Sequence, residues 1–383
     1  MIRTLKSFGL AGMVFLLPLL VSVVYPTSDH AFSVNAAEKK EPKYKDVKTR
    51  KRASVGKTCS KALDRVRGEK SPIAEAGDAE EGVDVTPFFV EAKEMLEDIE
   101  KSSKKCSSAY EETQVWSTMG YVYFALDDIP GAAIYYRKIV DSDGAEPEFR
   151  LDTRLTLGQF YAAMEKYEMA IEQYEIWAEA AFVVGAQERL TMAQLYYQLE
   201  RKDDSLRSVR LGISEAEAKG ILPKESFWAL GTALYNEKNQ MDKVIDYLEK
   251  LVTHYPKWKY WKQLGGMFGA QERMTDQLVA YEVIYLNGEL TKESDVLAMA
   301  YMYLGAEVPY RAAKIIEKGI KDKIVEKNFK HYDLLGKSWF LAQHIPQALS
   351  SYETASKYSD NGEIQYLIGS TYLDLGQDMM AYK

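Results

Sequence analysis

The segment Trp116–Tyr136, "WSTMGYVYFALDDIPGAAIYY", decides the fold, because its parts recur down the chain. Gly120 sits between Met119 and Tyr121; Tyr123 follows three residues after it, Ala132 twelve and Tyr136 sixteen. The same order returns in Leu155–Tyr174, "LTLGQFYAAMEKYEMAIEQY", and in Tyr332–Tyr352, "YDLLGKSWFLAQHIPQALSSY". Offsets of three and four residues share one face of a helix, so each segment reads as two amphipathic helices joined by a short turn.

Working outward, the small anchor residue recurs at Gly120, Gly158, Ala193, Gly231, Gly265, Ala300, Gly336 and Gly369, with gaps of 38, 35, 38, 34, 35, 36 and 33. Three residues on comes a large side chain: Tyr123, Tyr161, Tyr196, Leu234, Phe268, Tyr303, Trp339 and Tyr372. A small residue returns twelve after the anchor in six of the eight units, and Tyr136, Tyr174, Val209, Tyr247, Tyr281, Ile316 and Tyr352 follow four later. Small residues at two positions let paired helices approach closely while the large ones fill the gaps. Lys243 and Gln277 break the small-residue column, so these side chains reach outward or their helices are offset.

A helix pair of this size cannot bury its apolar face alone, and repeats with this period stack into a solenoid. The pattern resembles the tetratricopeptide repeat (TPR) family from Glu112 to the last residue. The resemblance implies an all-α, right-handed α-solenoid of about eight helix-turn-helix units, here over residues 86–383. Its first helix includes Phe88, Phe89, Ala92, Met95, Leu96 and Ile99 on one side. In that family the inner face of each first helix receives a peptide or a partner helix. Carried over by position, the partner-binding groove comprises Tyr121, Phe124, Gln159, Gln194, Tyr197, Trp228, Tyr235, Tyr301, Phe340 and Tyr366. Large aromatic side chains suit protein recognition, having much area and little rotamer entropy. About half of the ten are expected in the core or on ordinary surface. Only Lys262 and Lys337 stand out as cations on this face, a poor match to repeats that clamp a carboxylate. The last unit ends within its second helix, leaving an apolar end that a partner or a second copy in a homodimer would cover.

The N-terminal part reads differently. Arg3 and Lys6 precede an uncharged run, Phe8–Val24, followed by polar residues and a small-residue site ending at Ala36. That order is a signal peptide over 1–36, or an uncleaved membrane anchor given the length of the run. No cysteine follows it to carry a lipid. Residues 37–85 read as a flexible basic arm and an acidic linker. Glu38–Lys70 carries 13 Lys and Arg against 5 Asp and Glu, whereas Ser71–Lys383 carries 34 against 51. The arm would meet anionic lipid, fold back on the body, or stay solvated without a partner. Nucleic acid is excluded as a partner, since the acidic body repels phosphate. Cys59 and Cys106 are the only cysteines; in an oxidising compartment they allow a disulfide, with two unpaired thiols as the alternative.

No sign of chemistry accompanies this. "VGKT", Val55–Thr58, looks like the end of a phosphate loop, but Lys51 stands where the earlier glycine belongs and no apolar strand precedes it. His30, His254, His331 and His344 form no zinc pattern, and no nucleophile elbow or dinucleotide fingerprint is present. The expectation is a non-enzyme with no cofactor and no metal.

The export signal, the "KTRKR" segment and the repeats together resemble periplasmic TPR proteins associated with TonB and ExbB–ExbD energy-transduction systems, a match carried by Lys48, Thr49 and Arg50. The resemblance implies a periplasmic scaffold serving iron-complex uptake, with TonB, ExbB or ExbD components or outer-membrane receptors as partners. Membrane contact would be confined to the N-terminus or arm. The alternatives are a periplasmic chaperone or assembly factor for outer-membrane or cell-wall proteins, and a glycan-binding or hydrolytic protein using groove carboxylates.

Overall fold

The computed structural model describes residues 43–45, 53–102, 104–358 and 362–381. The expected signal peptide and the Lys48–Arg50 segment lie outside the described residues. These residues are helical apart from turns and one isolated β-bridge, and they form two compact units, one ending at Gly220 and one beginning at Ile221. Among them no helix is long and apolar enough to cross a membrane.

The first unit opens with α1 (Lys57–Arg67), α2 (Pro72–Asp78) and α3 (Thr86–Lys101). Three helix pairs follow: α4 (Ala109–Ala125) with α5 (Ile129–Asp141), α6 (Pro147–Ala163) with α7 (Tyr167–Ala180), and α8 (Ala186–Gln198) with α9 (Lys202–Ala218). The second unit holds five pairs: α10 (Glu225–Glu237) with α11 (Met241–His254), α12 (Trp258–Ala270) with α13 (Met274–Leu286), α14 (Glu293–Gly305) with α15 (Pro309–Lys321), α16 (Phe329–Leu341) with α17 (Ile345–Ala355), and α18 (Gly362–Asp374) with α19 (Asp378–Ala381).

One turn closes every pair. Three residues separate the two helices, and the middle one is left-handed: Asp127, Glu165, Glu200, Asn239, Glu272, Glu307, Gln343 and Gly376, with φ between 54° and 68°. The next residue donates its N–H back five positions, from Asp128, Lys166, Arg201, Gln240, Arg273, Val308, His344 and Gln377 to the carbonyls of Tyr123, Tyr161, Tyr196, Tyr235, Phe268, Tyr303, Trp339 and Tyr372, at 2.8–2.9 Å. This is a Schellman cap, which satisfies a helix's last carbonyls while reversing the chain.

The caps correct the expected register of the fourth pair. Seven left-handed residues lie seven positions after the anchor, whereas Asn239 lies eight after Gly231. Tyr235, not Leu234, therefore belongs to the aromatic column, which is aromatic in all eight pairs. The same offset turns Lys243 outward, where it pairs with Asp246 at 3.0 Å, and seats Val244 in the core at 2% exposure. Gln277 is accommodated otherwise: a Cβ on Gly269 would lie 2.4 Å from its Nε2, so its amide rests on bare backbone.

Within a pair, the anchor glycine receives the ring of the second helix. A Cβ on Gly120, Gly231 or Gly336 would lie 2.2–2.4 Å from Tyr136, Tyr247 or Tyr352, and one on Gly158 or Gly265 would lie 2.9–3.0 Å from Tyr174 or Tyr281. Where the anchor is alanine, Ala193 or Ala300, the residue sixteen on is the slimmer Val209 or Ile316, and both members are buried. Glycine against tyrosine and alanine against a branched aliphatic fill the same space in two ways.

The arm-and-linker expectation fails for residues 57–78, which are folded. Cys59, Leu63 and Val66 recur at helical spacing along α1 and are buried in one core with Phe89, Ala92, Leu96, Val115, Met119 and Val122. Lys57, Lys61 and Arg65 are exposed on the other side of the helix, while Arg67 reaches α4 and donates to Thr118 Oγ1 at 3.0 Å. Ser71 caps α2 by accepting from the Ala74 N–H at 3.2 Å, with Pro72 in the first turn. The glycine of "VGKT" is also committed: Gly56 N–H donates to Glu111 Oε1 at 2.8 Å, while Ser107 and Ser108 N–H donate to Glu111 Oε2 at 3.1 Å. Those N–H donors hold the Glu111 carboxyl below its usual pKa, so a protein carboxylate takes the place a phosphate loop would reserve for its ligand.

Cys59 and Cys106 form a disulfide across 47 residues, both sulfurs within this first core. Cross-linking a loop of that length removes about 4 kcal/mol of unfolded-state entropy on the chain-entropy account. Cys59→Ser is therefore expected to lower the stability of the first unit by up to about 4 kcal/mol. Its first effect should be faster amide exchange in residues 57–78. Unchanged exchange there under reducing and oxidising conditions would show that the apolar stripe alone holds α1.

Candidate protein-binding surface

The eight caps define which first-helix side chains face away from the partner helix. Counting back from the left-handed residue, positions six and three before it carry Tyr121 and Phe124, Gln159, Gln194 and Tyr197, Tyr301, and Phe340. Tyr121 meets the edge of Phe89, with ring centroids 6.0 Å apart, and Phe124 stacks on Phe160 at 5.6 Å. Gln159 hydrogen-bonds to the buried Tyr174. Gln194, Tyr197 and Phe340 are half-buried. Tyr301 and Tyr366 are open to solvent, at 60% and 74% exposure.

Trp228 and Tyr235 do not belong to this surface. They are 5% and 7% exposed and both approach the Tyr247 ring edge-on, with centroids 5.0 Å apart. Trp228 Nε1–H is buried without a hydrogen-bond acceptor. The cause is the fourth-pair register: Ala233 and Asn236 take the outward positions and are exposed. The structure thus leaves two of the ten expected groove residues well exposed, six half-buried and two in the core.

Two carboxylates tie neighbouring pairs together. Tyr196 Oη donates to Glu175 Oε1 at 2.9 Å and Arg201 joins the same oxygen at 3.0 Å; Tyr303, Glu282 and Arg311 repeat this at 2.7 and 3.0 Å. Each tyrosine comes from the pair after its glutamate, so the contact ties neighbouring pairs. Burial first, and then the carboxylate bond, pushes the Tyr303 phenol up to about 12. Lys262 and Lys337 are paired with Asp295 and Asp333 at 2.6 and 2.7 Å. Among the described residues no group of three or more His, Cys, Asp and Glu is placed to hold a metal ion.

A second site lies where the basic arm folds back on the body, one of the alternatives its sequence left open, although none of the site's residues was named. Lys43–Lys45 lies extended along Ala180–Phe182: Lys45 N–H donates to the Ala180 carbonyl at 2.8 Å and Phe182 N–H to the Lys43 carbonyl at 3.1 Å. Between them Tyr44 is 5% exposed, inserted among residues of α6, α7 and the loop after α7. Its hydroxyl donates to Asp152 Oδ1 at 2.5 Å and accepts from Trp177 Nε1 at 3.1 Å. Burial and the Asp152 bond push the phenol pKa well up, so it stays neutral as the donor. Lys43 Nζ lies 3.8 Å from Asp152, and Lys45 Nζ donates to the Glu179 carbonyl at 3.3 Å. Beside Lys45 opens a cavity of about 350 Å³ lined by Phe182, Val183, Val184, Arg189 and Glu215 among others. The one available signal was compositional: Tyr44 is the sole aromatic between Phe32 and Phe88.

No family model matches the chain, and no curated protein does. Solved structures do. A tetratricopeptide repeat protein from Parabacteroides merdae is 15% identical over 68% of this chain and 99% of its own, with a TM-score of 0.39. MamA is 17% identical over 46% of this chain and 94% of its own, at 0.36. YrrB, described as a TPR protein with an unusual peptide-binding site, is 11% identical over 51% and 89%, also at 0.36. Within each unit, the chain's own caps, aromatic column and glycine–tyrosine seats make its helix pairs tetratricopeptide-type pairs.

Proposed function

We propose that the protein is a non-enzymatic protein-binding scaffold of the periplasm, an accessory to a TonB-type energy-transduction system for iron-complex uptake. The observation that carries the binding role is the uncovered first-helix face of the second unit. Tyr301 and Tyr366 are exposed there on helices, and aromatic side chains of this kind anchor partners. The compartment is supported by the Cys59–Cys106 disulfide, which an oxidising environment permits, and by the apolar, positively led N-terminal sequence. The link to TonB-type systems draws on Lys48, Thr49 and Arg50 and on the order of segments.

The test is in-cell photo-crosslinking from Tyr301 and Tyr366, each replaced by a photoreactive residue, in iron-starved cells. Capture of TonB, ExbB or ExbD components or of an outer-membrane receptor is the expected result. A diffuse population of unfolded outer-membrane polypeptides would overturn it in favour of a chaperone.

A further inference from the structure

We propose that the loop edge Ala180–Phe182, with Asp152 and Trp177, is a binding site for an extended peptide presenting a tyrosine between two lysines, and that the chain's own Lys43–Lys45 occupies it as a tethered ligand. The site is built from residues of the first unit alone and does not depend on who the partner is.

Three features of a peptide site coincide. The edge supplies a donor and an acceptor that pair with the incoming backbone on both sides of Tyr44, the hydrogen-bonding of strand addition. A socket takes the alternate side chain and reads its hydroxyl twice, through Asp152 as acceptor and Trp177 Nε1–H as donor. A phenylalanine in the socket would leave that indole N–H without its acceptor, so the site distinguishes tyrosine from phenylalanine. The flanking lysines also find partners, the Asp152 carboxylate 3.8 Å from Lys43 Nζ and the Glu179 backbone carbonyl accepting from Lys45 Nζ at 3.3 Å.

The occupant is the chain itself because the sequence connects the two. Residues 46–52 join Lys45 to Ala53, and folded structure begins directly afterwards with Gly56 held by Glu111. A short tether gives its ligand an effective concentration on the order of millimolar. A free peptide of the same sequence must compete with that, so the intact chain is closed to it and a chain whose tether lacks the tyrosine is open.

The experiment uses the full chain and a fluorescein-labelled peptide of residues 42–47, Pro-Lys-Tyr-Lys-Asp-Val, followed by anisotropy. Tyr44→Ala is expected to bind the peptide at least about tenfold more tightly than the unmodified protein, as millimolar tethering implies. Adding Asp152→Ala, or replacing the peptide's tyrosine by alanine, should abolish that binding. In parallel, amide exchange at Phe182 should speed up by at least about tenfold in Tyr44→Ala, since its acceptor is then lost to fraying. Equal peptide binding by the two proteins, binding by neither, or unchanged Phe182 exchange would overturn the proposal. Should Tyr44→Ala fold poorly, Tyr44→Phe keeps the ring and is expected to show an intermediate gain. None of these readouts involves an external partner, so their failure leaves the crosslinking result to stand alone.

Discussion

Gly336→Ala is expected to destabilise the second unit by about 1–3 kcal/mol, although alanine is the better helix former. A Cβ at this position would lie 2.4 Å from two ring carbons of Tyr352. That ring is itself 2% exposed and has nowhere to retreat. Helix propensity returns up to about 1 kcal/mol, so the steric clash wins. The control is Gly266→Ala, in the same unit, where no atom lies within 4 Å of the new Cβ. There propensity acts alone, and stability should rise by about 0.5–1 kcal/mol.

The double variant Gly336→Ala with Tyr352→Ile copies the natural Ala300–Ile316 seat. Tyr352→Ile alone leaves a cavity, yet the pair should cost less than the sum of its parts by about 1 kcal/mol or more, the sign of a shared contact. Repeat arrays lose structure locally, so urea midpoints should be read alongside amide exchange in α16 and α17. Strict additivity would mean that helix and ring do not meet as described.

Alkaline pH is expected to unfold both units between pH 10 and 12. Tyr136 in the first and Tyr352 in the second are buried, and burial pushes their phenols from 10.0 up to about 12. A folded pKa above the unfolded one means the neutral phenol stabilises the fold. That stabilisation is complete below pH 10 and disappears as pH rises toward 12, because the unfolded chain ionises first. Each group contributes about 1.4 kcal/mol per pH unit over this window. Crossing the whole window thus removes on the order of 3 kcal/mol per phenol. Burial raises Tyr174 and Tyr196 in the first unit and Tyr260 and Tyr303 in the second in the same direction, so the combined loss in each unit reaches the range of about 5–15 kcal/mol that domains hold. Helicity and tyrosinate absorbance, followed together against pH, should change in one cooperative step, and Tyr352→Phe should move the second unit's step upward. Full tyrosinate formation with helicity intact would contradict the burial of these rings.

Much of this molecule was legible from spacing. The period, the eight pairs and the glycine anchors follow from residues three, four, twelve and sixteen apart, because a helix places such residues on one face and a short turn fixes the partner's phase. The pairing of glycine with tyrosine, and of alanine with valine or isoleucine, was also present in the letters. It became readable only when the ring was seen resting on the missing Cβ.

Three things needed the folded chain. The fourth pair's offset is invisible in a list of anchors, since Gly231 looks like every other glycine, and only the cap from Gln240 to Tyr235 shows where the turn falls. The basic segment hid a helix because its charges outnumber the stripe of Cys59, Leu63 and Val66; burial depends on which face a charge occupies, and composition counts all faces alike. Tyr44 lies 108 residues from Asp152 and 133 from Trp177 in sequence. Local pattern reports the face a residue shares with its near neighbours, whereas a socket is made by side chains brought together from far apart, and only the packing of the pairs decides which of them meet.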